Sequence, residues 1–364
     1  VSSQLFDAID HLAKEKGIDK DILLEALEAA LISAYKKNFK SAGNVRVELD
    51  EESGKMAVFS RKTIVEEVED AQEEISLDEA RETNPNYELE DVIEVEVTPK
   101  DFGRIAAQAA KQVVTQRVRE AERGVIFSQY VDREEDVMTG IIQRKDPRFV
   151  YVNLGKIEAK LAEPEQMPTE EYHVHDRLKV YVTKVENTSK GPQIYISRSH
   201  PGLLKRLFEM EVPEIYEGIV EIKSVSREAG DRSKISVHAP DPEIDPVGSC
   251  VGQKGQRVQA IVDELKGEKI DVVEWSEDPV VYVSNALSPS KVVDVLVDEE
   301  EKATTVIVPD YQLSLAIGKR GQNARLAAKL TGWKIDIKSE TEAREQGLLA
   351  EEEDIYYDED EDLF

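Results

Sequence analysis

Two stretches of this 364-residue chain repeat each other, and that duplication constrains the fold more than any other feature. SCVGQKGQRVQAIVDELKGEKIDVVE, beginning at Ser249, is similar to LAIGKRGQNARLAAKLTGWKIDIKSE, beginning at Leu315. Gly252 and Gly255 fall on Gly318 and Gly321 at an offset of 66 residues. After a gap of one residue, Leu265, Gly267, Lys269, Ile270 and Asp271 fall on Leu330, Gly332, Lys334, Ile335 and Asp336. Repeats are weighed before other signals, and two copies are too few for a solenoid, so the chain carries a duplicated domain of about 65 to 70 residues.

In each copy a short apolar helix (EIDPVGSCV, YQLSLAI) leads into a G-x-x-G loop, and a second helix and a strand follow. Glycine lets a backbone approach a ligand closely. A helix that begins just after the loop turns its first N–H groups and its positive dipole end outward. Lys254 stands in the first loop, and Lys319 and Arg320 stand in the second. KH modules clamp four nucleotides with this arrangement. The candidate RNA-binding residues are therefore Gly252, Gln253, Lys254, Gly255 and Arg257 in one copy. In the other they are Gly318, Lys319, Arg320, Gly321, Arg325 and Lys329. A single G-x-x-G is common in turns; two in matching settings argue against a plain helix–helix turn with solvent lysines.

Upstream, VMTGIIQ, RFVYVNL, KIEAKLA, DRLKVYVTKVE and PQIYIS are five strand candidates at short spacing within residues 136 to 198, the signature of a small closed barrel of OB type. Such barrels stack bases on exposed aromatics in a basic groove. Phe149 and Tyr151, two apart on one strand, share a face, with Arg148, Tyr195 and Arg198 as flanking candidates. Barrel core is an equal reading of Phe149. The first 38 residues predict two helices, the second capped by Asp19 and striped by Leu23, Leu27, Ala30, Leu31 and Ala34. Alternation at Val45, Val47 and Leu49, and at Ile93, Val95 and Val97, predicts half-buried strands. From Asp101 to about Arg123 a seam of Ala107, Ala110, Val114, Val118 and Ala121 predicts a long, partly exposed connecting helix, with a core helix of the first domain as the alternative.

Charge bears on the choice of partner. The chain has 47 basic and 76 acidic residues, a net charge of −29, which argues against coating nucleic acid or an anionic membrane with the whole surface. Cations are instead focused. Residues 311 to 338 hold six bases and one acid, against four bases and five acids in residues 250 to 275. Residues 348 to 364 carry nine acids and no base, which predicts disorder. One cysteine, Cys250, excludes an internal disulfide and a cysteine-rich zinc site. No apolar run approaches the ~20 residues of a membrane span, and VSSQLFDAID resembles no secretion signal. A cytoplasmic protein with no membrane contact is expected. His173 and His175 form an isolated H-x-H that calls for no metal, and no P-loop, G-x-S-x-G or H-E-x-x-H is present. Binding without catalysis, cofactor or metal is the expectation.

The segments EVPEIYEGIVEI, AGDRSKISVHA, GSCVGQKGQRVQ, VPDYQLSLAIGKRGQNARLAAKLTGWKIDI and DVIEVEVTPKDFGRIAAQAAKQVV resemble the NusA family of bacterial transcription factors over about residues 1 to 340. The resemblance implies a multidomain α+β chain. An N-terminal α/β head at 1–128, with a long connecting helix, would bind RNA polymerase. An S1-type OB β-barrel at 134–198 would follow, then two tandem type II KH domains (α-β-β-α-α-β) at 199–276 and 277–344, and a disordered acidic tail at 345–364. The third barrel strand departs from the S1-type pattern in lacking its usual histidine. Nascent single-stranded RNA is the implied ligand, with effects on pausing, intrinsic termination and antitermination. Other Nus-type transcription factors are admissible partners, and a monomer is expected. Two alternatives stay open on sequence: an RNA-degrading enzyme or a fragment of one, and a ribosome- or RNA-processing-associated RNA-binding protein without polymerase contact.

Overall fold

The computed structural model describes residues 2–40 and 43–350, and the side chains from Leu5 onward. It divides into two compact units, Val1–Ser128 with Asn187–Pro192, and Gln129–Glu186 with Gln193–Phe364. Of the tail expected at 345–364, residues 351–364 lie outside the described residues, while Glu345 ends a helix. Among the described residues no helix is long and apolar enough to cross a membrane.

In the first unit, helices α1 (Ser2–Lys16) and α2 (Lys20–Phe39) precede strands β1 (Val45–Asp50), β2 (Lys55–Val65) and β3 (Glu74–Ser76), helix α3 (Leu77–Thr83), strand β4 (Val92–Glu96) and the long helix α4 (Phe102–Val131). Asp19 caps α2, accepting from the Asp21 amide at 2.9 Å. The 11-residue β2 is the spine of the sheet, pairing antiparallel with β1 and β4 and parallel with β3. Ile9, Leu23, Leu27, Leu31 and Tyr35 bury against Val47 and Val58. The first turns of α4 complete this core with Phe102, Ala106, Ala109 and Ala110. This corrects the expected seam: Ala107 is exposed. Phe102, the bulkiest apolar residue of that first turn, anchors the stripe and sets its phase, so α4 begins as a core helix and has no buried residue between Lys111 and Glu120.

The second unit opens with the barrel: β5 (Val137–Lys145), β6 (Phe149–Asn153), β7 (Glu158–Ala162), β8 (Arg177–Thr188) and β9 (Gly191–Ser197), closed in the order β5-β6-β7-β9-β8. This is the OB arrangement. Val150, Val152, Leu161, Val180, Val182, Ile194 and Ile196 fill its interior.

Two copies of one α+β unit follow. The first comprises α5 (Pro201–Glu211), the short α6 (Pro213–Tyr216), β10 (Glu221–Glu228), β11 (Arg232–His238), α7 (Pro246–Val251), α8 (Gln256–Glu264) and β12 (Lys269–Glu274). The second comprises α9 (Pro279–Ala286), β13 (Asp294–Asp298), β14 (Ala303–Val308), α10 (Leu313–Ile317), α11 (Gln322–Thr331), β15 (Lys334–Ser339) and the closing α12 (Glu340–Glu345). In both sheets the central strand pairs antiparallel with the strand before it and parallel with the last one. Conserving this α-β-β-α-α-β order puts each loop of interest at the same corner of its copy.

Barrel and first copy share one core, in which Val137, Met167 and Tyr181 pack with Leu203, Leu207, Phe208 and Ile235. Arg198 is embedded at this junction and is 0% exposed. Its Nε donates to Glu170 Oε2 at 3.1 Å and its Nη2 to Glu170 Oε1, while Nη1 reaches the Lys179 carbonyl at 2.9 Å and Nη2 the Glu264 carbonyl at 3.1 Å. Arg227 and Glu268 form a second buried pair beside it. Arg198, expected to flank an RNA surface, is thus a structural clasp. Its donors are consumed by a carboxylate and two carbonyls, and no charge is left for a phosphate.

Candidate nucleic-acid interface

The two G-x-x-G loops have nearly the same backbone. Gly252 lies at φ 77°, ψ 174° and Gly318 at φ 78°, ψ 168°, a region open essentially to glycine alone. A Cβ on Gly252 would stand 2.7 Å from Arg257 Cγ, and one on Gly318 would stand 2.7 Å from the Asn323 amide nitrogen. The third loop residues are left-handed: Lys254 at φ 52°, ψ 27° and Arg320 at φ 56°, ψ 28°. Each fourth glycine amide bonds back to the first glycine carbonyl at 3.1 Å. The fourth glycines, Gly255 and Gly321, are also the N-caps of α8 and α11, and neither helix receives a side-chain cap. The first helical amides, of Gln256 and Gln322, turn back to the Gln253 and Lys319 carbonyls, so the donors without an intrahelical acceptor are the amides that follow them, at a helix N-terminus beside an exposed cation.

The residue two beyond the last glycine sets the loop in both copies. Arg257 Nη1 reaches back to the Ser249 carbonyl at 2.7 Å and to Glu214 Oε2 at 2.7 Å. Asn323 Nδ2 reaches back to the Ala316 carbonyl at 2.9 Å and to Leu287 at 3.0 Å. Arg257 is therefore engaged within its own copy. Arg325 is engaged as well: Nε donates to Glu228 Oε1 at 2.6 Å and Nη1 to the Arg320 carbonyl at 3.0 Å, and that contact holds the Glu228 carboxyl below its ordinary range. Gln253, Lys254, Lys319, Arg320 and Lys329 are exposed. The cleft beside the second loop, about 580 Å³, is lined by Gly318, Lys319, Arg320 and Arg325 together with Arg232 and Lys269 of the first copy. Neither Arg232 nor Lys269 was a candidate site residue in the sequence, where Lys269 only marked the repeat; both line the cleft because the copies pack together.

On the barrel, Phe149 and Tyr151 stand on the outer face of β6, while Val150 and Val152 point inward. Phe149 is half-buried on that outer face rather than in the barrel core, and Tyr151 is buried on it, 8% exposed. Register places Arg144 opposite Tyr151, Tyr151 opposite Lys160, and Lys160 opposite Tyr195, one row across four strands. The Arg144 guanidinium covers the Tyr151 ring at 3.7 Å, and Lys160 Nζ sits 5.5 Å from the Phe149 ring centre. The Tyr151 hydroxyl donates to Asp146 Oδ2 at 2.8 Å, and that carboxylate also receives the amides of Arg148 and Phe149. These bonds, the Arg148 amide foremost, hold Asp146 below the usual carboxylate range. The Arg148 side chain is exposed at the rim, and Tyr195 is 45% exposed. Arg144 and Lys160, absent from the sequence candidates, interleave cations with the aromatics; strand register, invisible in one sequence, brings them there.

Four family models cover most of the chain. Their descriptions are NusA N-terminal domain (residues 4–124), S1 RNA binding domain (131–197), NusA-like first KH domain (198–275) and NusA-like second KH domain (279–345). Among curated relatives, the transcription termination/antitermination protein NusA of Bacillus subtilis is 71% identical over all of this chain and 97% of its own length. The protein of that name from Halalkalibacterium halodurans is 72% identical over 97% of this chain and 92% of its own. That of Thermus thermophilus is 41% identical over 98% of this chain and all of its own. With four matched modules in the family's order and such relatives covered nearly end to end, the chain belongs to the NusA family of transcription termination/antitermination proteins.

Proposed function

We propose that the chain is a transcription elongation factor that docks on RNA polymerase through residues 1–128 and holds nascent single-stranded RNA on its barrel and its two KH loops, thereby modulating pausing, intrinsic termination and antitermination. The observation that carries the RNA-holding part is the pair of uncapped G-x-x-G loops with matching dihedral angles, each at a helix N-terminus and each bearing an exposed cation. Two such grips on one folded unit suit a strand longer than either grip alone. The family relationship supports the transcription role, and the match of residues 4–124 to the NusA N-terminal model supports docking by the head.

The mechanism is positioning. RNA held as it emerges either assists or resists hairpin formation, and no covalent step is involved. Focused cations on a net acidic chain give modest, salt-sensitive affinity. A polymerase contact would raise the local concentration of RNA enough for that affinity to matter. Pause lifetimes on purified polymerase test this. The full chain should lengthen pauses, and a chain with Lys254, Lys319 and Arg320 changed to Asp should do so much less. Equal effects from both would remove the RNA grip from the mechanism.

A further inference from the structure

Two acids stand where a phosphate grip least needs them. Glu228 and Asp231, at the tip of the β10–β11 hairpin, line the same cleft as Lys319 and Arg320. Carboxylates there repel phosphate. Their contacts point to another role. Glu228 Oε1 accepts from Arg325 Nε at 2.6 Å and Oε2 from Gln322 Nε2 at 2.8 Å, and the same Gln322 nitrogen donates to Asp231 Oδ2 at 2.7 Å. Arg325 passes the contact on, its Nη1 holding the carbonyl of Arg320, the left-handed residue of the second loop. Glu228 and Asp231 belong to the first KH copy, Gln322, Arg325 and Arg320 to the second.

The clamp is not what joins the two copies. Lys234 Nζ reaches Asp271 at 3.0 Å and the Ser288 carbonyl at 2.8 Å, and Ser236 meets the Tyr282 hydroxyl at 2.8 Å in the interior. The clamp adds a hold on the loop itself. Among the described residues the first loop has no such hold from the other copy: Gln259, the counterpart of Arg325 at the 66-residue offset, turns down its own helix to Asp263 at 2.9 Å.

We propose that Glu228, with Asp231, is a positioning residue that acts through Arg325 and Gln322 to fix the second G-x-x-G loop relative to the first, so that one RNA strand engages both. Arg325 accordingly serves RNA binding by shape rather than as a phosphate contact. This rests on the RNA-holding reading above.

The test compares two RNAs on the full chain, one of about four nucleotides that fills a single loop and one of about twelve that can span both. Wild type should bind the longer RNA far more tightly. Glu228→Ala should cut the long-to-short affinity ratio on the order of tenfold, because the gain from double engagement depends on geometry. Arg325→Lys should cut the ratio similarly although it keeps the charge, because an ammonium cannot fork between a carboxylate and a carbonyl. Nitroxide labels on Gln253→Cys and Lys319→Cys give a second measurement, the loop-to-loop distance distribution. It should broaden in the Glu228→Ala background, with circular dichroism unchanged. Equal tightening of both RNAs by Glu228→Ala, or an unchanged distance distribution, would overturn the clamp and leave Glu228 as a repelling charge. A wild-type chain that binds both RNAs equally would overturn the clamp alone, and one that binds neither would defeat the RNA-holding reading with it.

Discussion

At the residue scale the loops depend on two positions that work against ordinary backbone preference. Arg320 and Lys254 hold left-handed dihedrals that cost an L-residue roughly 1–2 kcal/mol. Glycine would remove that strain but adds unfolded-state freedom of about 0.4–1 kcal/mol. Arg320→Gly should therefore leave unfolding free energy in urea unchanged or raise it by up to about 1.6 kcal/mol while weakening RNA binding; a large loss of stability would mean that the side chain, not the backbone, builds the loop. Arg198 is the opposite case. Removing one partner of a buried pair strands the other, so Arg198→Ala should destabilise the second unit by about 3–5 kcal/mol with the RNA surface untouched. Phe149→Ala should leave stability nearly unchanged and weaken binding by about 1–3 kcal/mol per base stacked there. Denaturant midpoints and RNA affinities on the same two variants separate these roles. Arg198 was legible as a cation after a strand; its burial was not, because its partner Glu170 lies in a loop 28 residues away.

At the element scale the duplicated helix–loop–helix–strand segments were readable because glycines, apolar spacing and the strand recur together. The five barrel strands were readable because turn residues separate them. The segment between β1 and β4 was not. Residues 61–101 hold fifteen acids and four bases and drew no element expectation before Ile93, yet the end of β2, β3 and α3 lie within them. β3 has only three residues and needs β2 beside it to exist. Strand β12 carries a testable charge. Burial alone would raise the Asp271 pKa, but hydrogen bonds from Arg232 and Lys234 outweigh it and hold the carboxyl below its ordinary 3.8. A depressed carboxyl pKa stabilises the fold above the unfolded value, and that contribution is lost as pH falls through the folded one. Acid unfolding should therefore steepen below about pH 4, and Asp271→Asn should be less stable at pH 7 yet flatter in that acid range. A variant with the wild-type acid slope would show that Asp271 does not set it.

At the scale of the whole molecule, a charge of −29 coexists with cations gathered at two loops and one barrel row. The sum was legible from composition; which cations remain free was not, since Arg257, Arg325 and Arg198 are each spent on internal partners. Removing residues 1–128 should abolish pausing effects at low concentration and leave RNA affinity largely intact; retained pausing would argue against a tether through the head. The most direct test of RNA gripping by the loops is affinity across a salt series for the full chain, with Lys319→Asp and Arg320→Asp in one variant and Gln253→Asp and Lys254→Asp in another. Aspartate tolerates the left-handed third position, so both variants should stay folded by circular dichroism. The second loop carries two exposed cations and the first carries one. The expected result is a greater loss from the Lys319/Arg320 variant, with the salt slope falling by roughly 0.7 for each phosphate contact removed. Negligible losses from both variants at every salt concentration would contradict it, and neither loop would then be an RNA grip.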